Sequence, residues 1–214
     1  MSQGKITKFF SDFFNWNQNP IERYNARIEK DAKKFAKLDA AGKRVMIAKD
    51  ILLQLDAKKL VAEQGRYVGI SSLYEFDDTQ DIKANYSKIK ECPVCALGAC
   101  LMATTKFNNH LKFGDIGPTV SYMNTSKVSF VLQELFSDEQ LLLIECAFEG
   151  MITGESSYAS QTFGTNLPAD EFKKAYDFAN KFREKYSIDA KNTSTLKMEA
   201  IMNNIIQNKG TFIP

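Results

Sequence analysis

Cys92-Pro93-Val94-Cys95 is the stretch of this sequence whose residue types and spacing come nearest to chemistry. Two cysteines separated by two residues suit a zinc knuckle or a redox disulfide. A structural zinc needs four ligands, and the pool beyond Cys92 and Cys95 is Cys100, Cys146 and the single histidine, His110, with no second Cys-x-x-Cys. A thioredoxin-like role needs a βαβ context, whereas Tyr86-Ser87-Lys88-Ile89-Lys90-Glu91 precedes the motif. The competing reading makes these cysteines small buried hydrophobes on a tightly packed helix. His110 with a cysteine and Asp115 could form a nucleophilic dyad and its orienter, but nothing in the spacing places them together. The weight falls on inert cysteines, and no metal or cofactor is expected.

Glu145 interrupts Leu141-Leu142-Leu143-Ile144-Glu145-Cys146-Ala147-Phe148, a run apolar nearly all round. A carboxylate there lies either on a wet strip with Glu149 at i+4 or buried against a cation such as Lys43 or Arg44. Between Arg23 and Arg66 twelve basic side chains face six acidic ones, although the whole chain is only +2. That local excess is either a solvated helix surface or an electrostatic footprint for an anionic partner, with Arg23, Arg27, Lys43 and Arg44 the candidate anion-binding residues. No glycine-rich phosphate loop, Gly-x-Ser-x-Gly, His-Glu-x-x-His or paired-carboxylate spacing is present.

The elements that must position these residues are mostly helices. Ile6, Phe9, Phe10, Phe13 and Phe14 mark one apolar face, with Trp16 just beyond, so residues 1–20 read as an aromatic amphipathic arm. Such a stripe has to be buried, on the chain's own body, on a second copy, on another protein or on a membrane surface. Pro20 opens a helix to about Asp39, and Gly42 marks a break before the next, from Lys43 to Leu55 with Ile47, Ile51 and Leu55 on one side. Lys59 to Ala62 and Arg66 to Ile70 read as two strands of a small β-hairpin. Residues 92–107 read as a small-residue central helix, through Cys95, Ala96, Gly98, Ala99, Cys100 and Ala103. Ser137 with Gln140 reads as a capping box separating the helices Val128 to Phe136 and Leu141 to Phe148. Residues 150–167 are rich in Gly, Ser and Thr and read as a long loop; helices follow from Pro168 and from Leu196 to Gln207, the latter closed by Gly210. The expectation is a mainly α fold: one helical domain over residues 21–214 of seven or eight helices with a small β-hairpin, preceded by the arm.

Four blocks of this chain resemble a family of short, functionally uncharacterised proteins of bacteriophage and bacterial genomes. They are Lys43-Arg44-Val45-Met46-Ile47-Ala48-Lys49-Asp50-Ile51-Leu52, Cys92-Pro93-Val94-Cys95-Ala96-Leu97-Gly98-Ala99, Phe136-Ser137-Asp138-Glu139-Gln140-Leu141 continuing to Ile144-Glu145-Cys146-Ala147-Phe148-Glu149, and Leu196 through Asn208-Lys209-Gly210-Thr211-Phe212-Ile213-Pro214. The resemblance spans about residues 43–214 and leaves the arm outside; Lys209 stands where the family often has glycine. It implies kinship without an activity, makes the cysteine helix a determinant of fold, and draws attention to Glu145.

The functional expectation is a non-enzymatic, phage-associated accessory protein that binds a host or viral macromolecule through the arm and the basic helices, counter-defence being one purpose. Its rivals are a binder that sequesters an anionic nucleotide signal, a virion component, and a thiol- or zinc-dependent enzyme. Nothing in the N-terminal residues has the apolar run of a secretory leader, and apolar runs such as Leu141 to Ile144 are far short of the roughly 20 residues that span a bilayer. A cytoplasmic protein without a membrane span is expected, able to form homo-oligomers through its arm.

Overall fold

Apolar residues at helical spacing decide most of the architecture. In a computed structural model, which describes residues 20–69, 76–108, 111–116, 126–149, 169–186 and 194–213, the chain forms eight α-helices and two short strands among those residues. The helices are α1 (Pro20–Phe35), α2 (Ala40–Asp56), α3 (Ile82–Asn85), α4 (Ala96–Phe107), α5 (Ser126–Gln133), α6 (Asp138–Glu149), α7 (Ala169–Lys185) and α8 (Ser194–Gln207). The strands are β1 (Leu60–Ala62) and β2 (Cys92–Val94), and 3-10 turns occupy Tyr86–Lys88 and Phe113–Ile116. The fold is mainly helical, as the periodicity predicts. The aromatic arm, with Phe9, Phe10, Phe13, Phe14 and Trp16, lies outside the described residues, as do His110 and the loop 150–168.

The centre is α4, every residue of which is buried. Its small side chains let α1, α2, α5 and α6 pack directly against it. Around that shell α8 crosses α2 and α6, and α7 lies on α6. Gly98 fixes the entry to the central helix, because a Cβ there would sit 1.5 Å from the carbonyl oxygen of Tyr67. Cys95 is the N-cap of α4, its Sγ accepting from the Gly98 N–H at 3.4 Å, while Cys92 is buried in β2. The Cys-x-x-Cys block therefore joins a strand to a helix under a tightly apposed backbone.

The small sheet is not the expected hairpin. β1 pairs with β2 in parallel, Leu60 opposite Cys92 and Ala62 opposite Val94, and Val68 makes a single antiparallel bridge to Val94. The two β-like runs thus flank β2 on opposite sides instead of pairing with each other. The cause lies at Gly98: the close approach of Tyr67, together with the Cys95 N–H donating to the Arg66 carbonyl, draws residues 66–69 to the head of α4. The first helix boundary differs as well. Asp39 caps α2 by accepting from the Gly42 N–H at 2.7 Å, so Gly42 lies inside the first turn and α1 has already ended at Phe35.

The expected capping box at α6 is half formed. The Ser137 hydroxyl accepts from the Gln140 N–H at 3.3 Å, but the Gln140 amide does not return to the cap. It reads the chain's tail instead, accepting from the Phe212 N–H at 2.7 Å and donating to the Phe212 carbonyl at 3.2 Å. Asn204, fully buried on α8, does the same for Ile213, whose N–H it accepts at 2.9 Å and to whose carbonyl it donates. Between these two amides the Phe212 ring is buried against Phe178 and Phe182, at centroid distances of 5.1 and 4.9 Å. Lys209 (φ 53°) and Gly210 (φ 99°) are both left-handed, and a Cβ on Gly210 would meet the Ala41 carbonyl oxygen at 2.4 Å. No helix among the described residues is long and apolar enough to cross a membrane.

Candidate functional site

The inner stripe of α2 carries two polar residues where its spacing calls for apolar ones. Ile47, Asp50, Ile51 and Gln54 stand at i, i+3, i+4 and i+7, and all four are buried. Facing them, the small-residue helix α4 carries Lys106 in its last turn, only 7% exposed. Lys106 Nζ donates to Asp50 Oδ1 at 2.5 Å, Gln54 Nε2 donates to Asp50 Oδ2 at 2.5 Å, and the buried Tyr86 hydroxyl donates to Gln54 Oε1 at 2.8 Å. The ammonium also lies 5.8 Å from the Tyr86 ring centroid and 5.5 Å from that of Phe107, within cation–π range. Phe35 of α1 stacks on Phe107 at 5.0 Å and closes the apolar side.

Burial pushes the Asp50 carboxyl above its ordinary range, and the opposing pull of Lys106 and Gln54 does not cancel it. Nearby, Lys59 Nζ donates to the carbonyls of Tyr86 (3.4 Å), Ser87 (3.1 Å) and Ile89 (3.2 Å), around the 3-10 turn. Its pKa is lowered first by burial and then by the neighbouring charges of Lys106 and Lys90. Asp50, Gln54, Lys59 and Lys106 line a cavity of about 340 Å³ between α1, α2 and α4, to which Arg27, Asp31 and Lys49 add charge and Ile28, Met46 and Leu53 add apolar wall. That volume falls at the lower end of the range for small-molecule sites, which combine apolar walls with a few convergent polar groups.

Among the described residues Arg27, Lys49, Lys59 and Lys106 thus face two carboxylates, Asp31 and Asp50. Asp50 is taken up by Lys106, and the contact of Arg27 Nε with Asp31 is long, 3.8 Å, with the arginine 70% exposed. The arrangement presents excess positive charge over an apolar cleft, suited to holding an anion whose remainder is partly apolar.

The four basic candidates from the sequence are divided by the fold. Arg27 reaches the cavity, and Arg23 lies on the same helix, α1. Lys43 instead lies over the Phe35 ring at 5.5 Å. Arg44 is structural, donating to the carbonyls of Gly210 and Leu135, each at 2.5 Å, so that it ties the tail to the end of the α5 segment. Neither Lys43 nor Arg44 lines the cavity. Glu145 is half-buried on α6, and its charge bears on Cys146 and Cys95.

All four cysteines are free and buried. Burial pushes the thiols of Cys100 and Cys146 up to about 12, and that of Cys95 higher still, so these three are held as thiols near neutrality, whereas nucleophilic and metal-binding cysteines act as thiolates. Among the described residues no three His, Cys, Asp or Glu side chains lie together as a metal-binding set. Asp50, Gln54, Tyr86, Lys59 and Lys106 are the residues that sequence reasoning missed. The detectable signal was an Asp and a Gln on the apolar stripe of α2; their cationic partner is 56 residues away from Asp50, beyond any local pattern. No family model, no curated protein and no solved structure matches this chain.

Proposed function

We propose that this is a binding protein which captures a small anionic ligand, a phosphorylated nucleoside or a similar phosphate- or carboxylate-bearing molecule, in the cavity between α1, α2 and α4. One observation carries the reading: cations from three separate chain segments converge on a cleft whose two carboxylates do not balance them. The Asp50–Lys106 pair supports it, since a buried ion pair is a poor way to stabilise a core and is explained better by a task at the surface it lines. The pair sets the floor, Arg27 and Lys49 meet the anion at the mouth, and the apolar wall takes the ligand's body. In the phage setting that the sequence blocks imply, capture without turnover would sequester a nucleotide signal. A macromolecular partner is the second reading, favoured by the exposed basic row Arg27, Lys30, Lys33, Lys34 and Lys37 on and just after α1.

Isothermal titration of the full chain with adenosine 5′-monophosphate, ADP-ribose and a cyclic dinucleotide tests the first reading. Saturable heat with at least one of them is expected, lost in the Arg27→Glu, Lys49→Glu double variant. Absence of heat with all three overturns small-ligand capture and leaves the macromolecular reading.

A further inference from the structure

Four cations recur along α1 at intervals of three, four and three residues: Arg27, Lys30, Lys34 and Lys37. On a helix that spacing draws a single stripe. Lys37 stands just past the end of α1, but the turn carries on, the Ala36 N–H donating to the Ala32 carbonyl at 3.0 Å and the Lys37 N–H to the Lys34 carbonyl at 3.1 Å. At a rise of about 1.5 Å per residue the stripe is about 15 Å long. All four residues are exposed, whereas Ile28, Ala32 and Phe35 bury the other face of the helix in the core. Lys30, Lys34 and Lys37 take part in no ion pair among the described residues; Glu29 pairs with Lys83 of α3 at 3.1 Å, and Asp31 makes the long contact with Arg27.

The stripe is built of point charges. The large apolar side chains exposed among the described residues are Leu53, Val61, Phe130, Leu196 and Ile213, all of them away from α1. A protein interface has apolar or aromatic anchors at its centre and is depleted in lysine, and a helix lying on a lipid surface inserts an apolar face, which α1 turns to the core. A row of phosphates asks only for cations placed along its path. One end of the stripe also meets the cavity: Arg27 belongs to both, and the cavity lining includes Phe107 and Leu53, the latter 56% exposed. A nucleotide base is a flat π-face joined to a charged backbone, and it enters a cleft only when unpaired. We propose that the α1 stripe is a track for the phosphate backbone of single-stranded nucleic acid, which lays one nucleotide of the strand into the cavity at Arg27. This rests on the reading of that cavity as a site for phosphate-bearing ligands, and makes its ligand part of a polynucleotide.

Fluorescence anisotropy of a labelled oligothymidylate of about 12 nucleotides, titrated with the full chain between about 50 and 200 mM sodium chloride, tests the track. Saturable binding is expected with a log–log salt slope of about −3, since each phosphate neutralised on a single strand contributes about −0.7. Lys30→Gln with Lys34→Gln and Lys37→Gln should flatten that slope by about 2 and weaken binding more than about tenfold at the lower salt. The helical circular dichroism of this variant should stay that of wild type, because all three residues are exposed. The same strand annealed to its complement, polyglutamate and phosphatidylserine vesicles should each bind more weakly than the single strand at equal salt. An unchanged slope in the triple variant, or a duplex, polyglutamate or vesicle that binds as tightly as the single strand, overturns the track. None of the three lysines lines the cavity, so the triple variant keeps whatever heat adenosine 5′-monophosphate gives. Mononucleotide heat without oligonucleotide binding sinks the track and leaves small-ligand capture standing. Stripe-dependent binding of the single strand without mononucleotide heat does the reverse, and the absence of both signals sinks both.

Discussion

The core contains two polar networks of opposite kinds. At the tail, Gln140 and Asn204 are neutral amides that each bind both backbone groups of one residue, Phe212 and Ile213, with Asn208 Nδ2 and the Tyr186 hydroxyl completing the coordination of Asn204. Beside α2, Asp50 and Lys106 are ions that bind each other and line a cavity. The amides satisfy backbone groups at partly buried positions, so their removal leaves those groups short of a protein partner. The ions have to be desolvated before they can attract each other, and a well-packed apolar pair would serve the fold as well. The first network explains how the chain closes; the second is explained by what it faces.

That difference is most exposed by removing one ion. Asp50→Leu removes the carboxylate that the buried Lys106 binds and should destabilise the protein by about 3–5 kcal/mol, measured by urea unfolding. The decisive companion is Asp50→Leu with Lys106→Met, expected within about 1 kcal/mol of wild type or more stable than it. If the double variant is as damaged as the single one, the pair is structural and the contrast with the tail disappears.

The tail should behave otherwise. Asn204→Leu strands the Ile213 N–H and carbonyl and should cost about 2–4 kcal/mol, with Gln140→Ala costing roughly half as much. No apolar second substitution can rescue either, because the partners are backbone groups. Recovery of the Asn204→Leu loss by any apolar replacement nearby would show that the clamp contributes packing and not hydrogen bonding.

The same contrast shows what could be read in the sequence. Helix positions came from apolar spacing, and α4 was visible as a central helix because small residues permit close approach wherever they recur along a helix. The half-formed capping box was legible only at Ser137: the Ser-x-x-Gln spacing records that Gln140 could turn back, and not that Phe212, 72 residues on, offers it two backbone groups. The hairpin expectation failed for the same reason, since the strand partner of Leu60 is Cys92 and a two-residue β propensity carries no address. In the sequence Arg44 reads as an anion-binding cation, whereas in the fold it binds carbonyls, a difference that no charge pattern reveals. Asp50 stands in the Lys43 to Leu52 block that carries the family resemblance, where nothing assigns it a role, although its place on the buried stripe marks it as a misfit.

The smallest effect separates the networks by pH. Burial raises the Asp50 carboxyl above 3.8 in the folded chain. A carboxyl raised by folding contributes stability that is fully present below 3.8 and is lost as pH rises through its folded value. Relative to the Asp50→Leu, Lys106→Met variant, the wild type should therefore gain stability on acidification from neutrality toward 3.8 and lose that advantage on return. Lys59, whose pKa moves in the opposite direction, is present in both chains and drops out of the difference to the extent that its shift comes from burial and Lys90; the part owed to Lys106 goes with that residue. Asn204 and Gln140 do not titrate, so the deficit of Asn204→Leu against wild type should stay level across the same range. Urea midpoints at a series of pH values give both curves, and two level curves would place Asp50 at its ordinary pKa and remove the argument that its burial carries a cost.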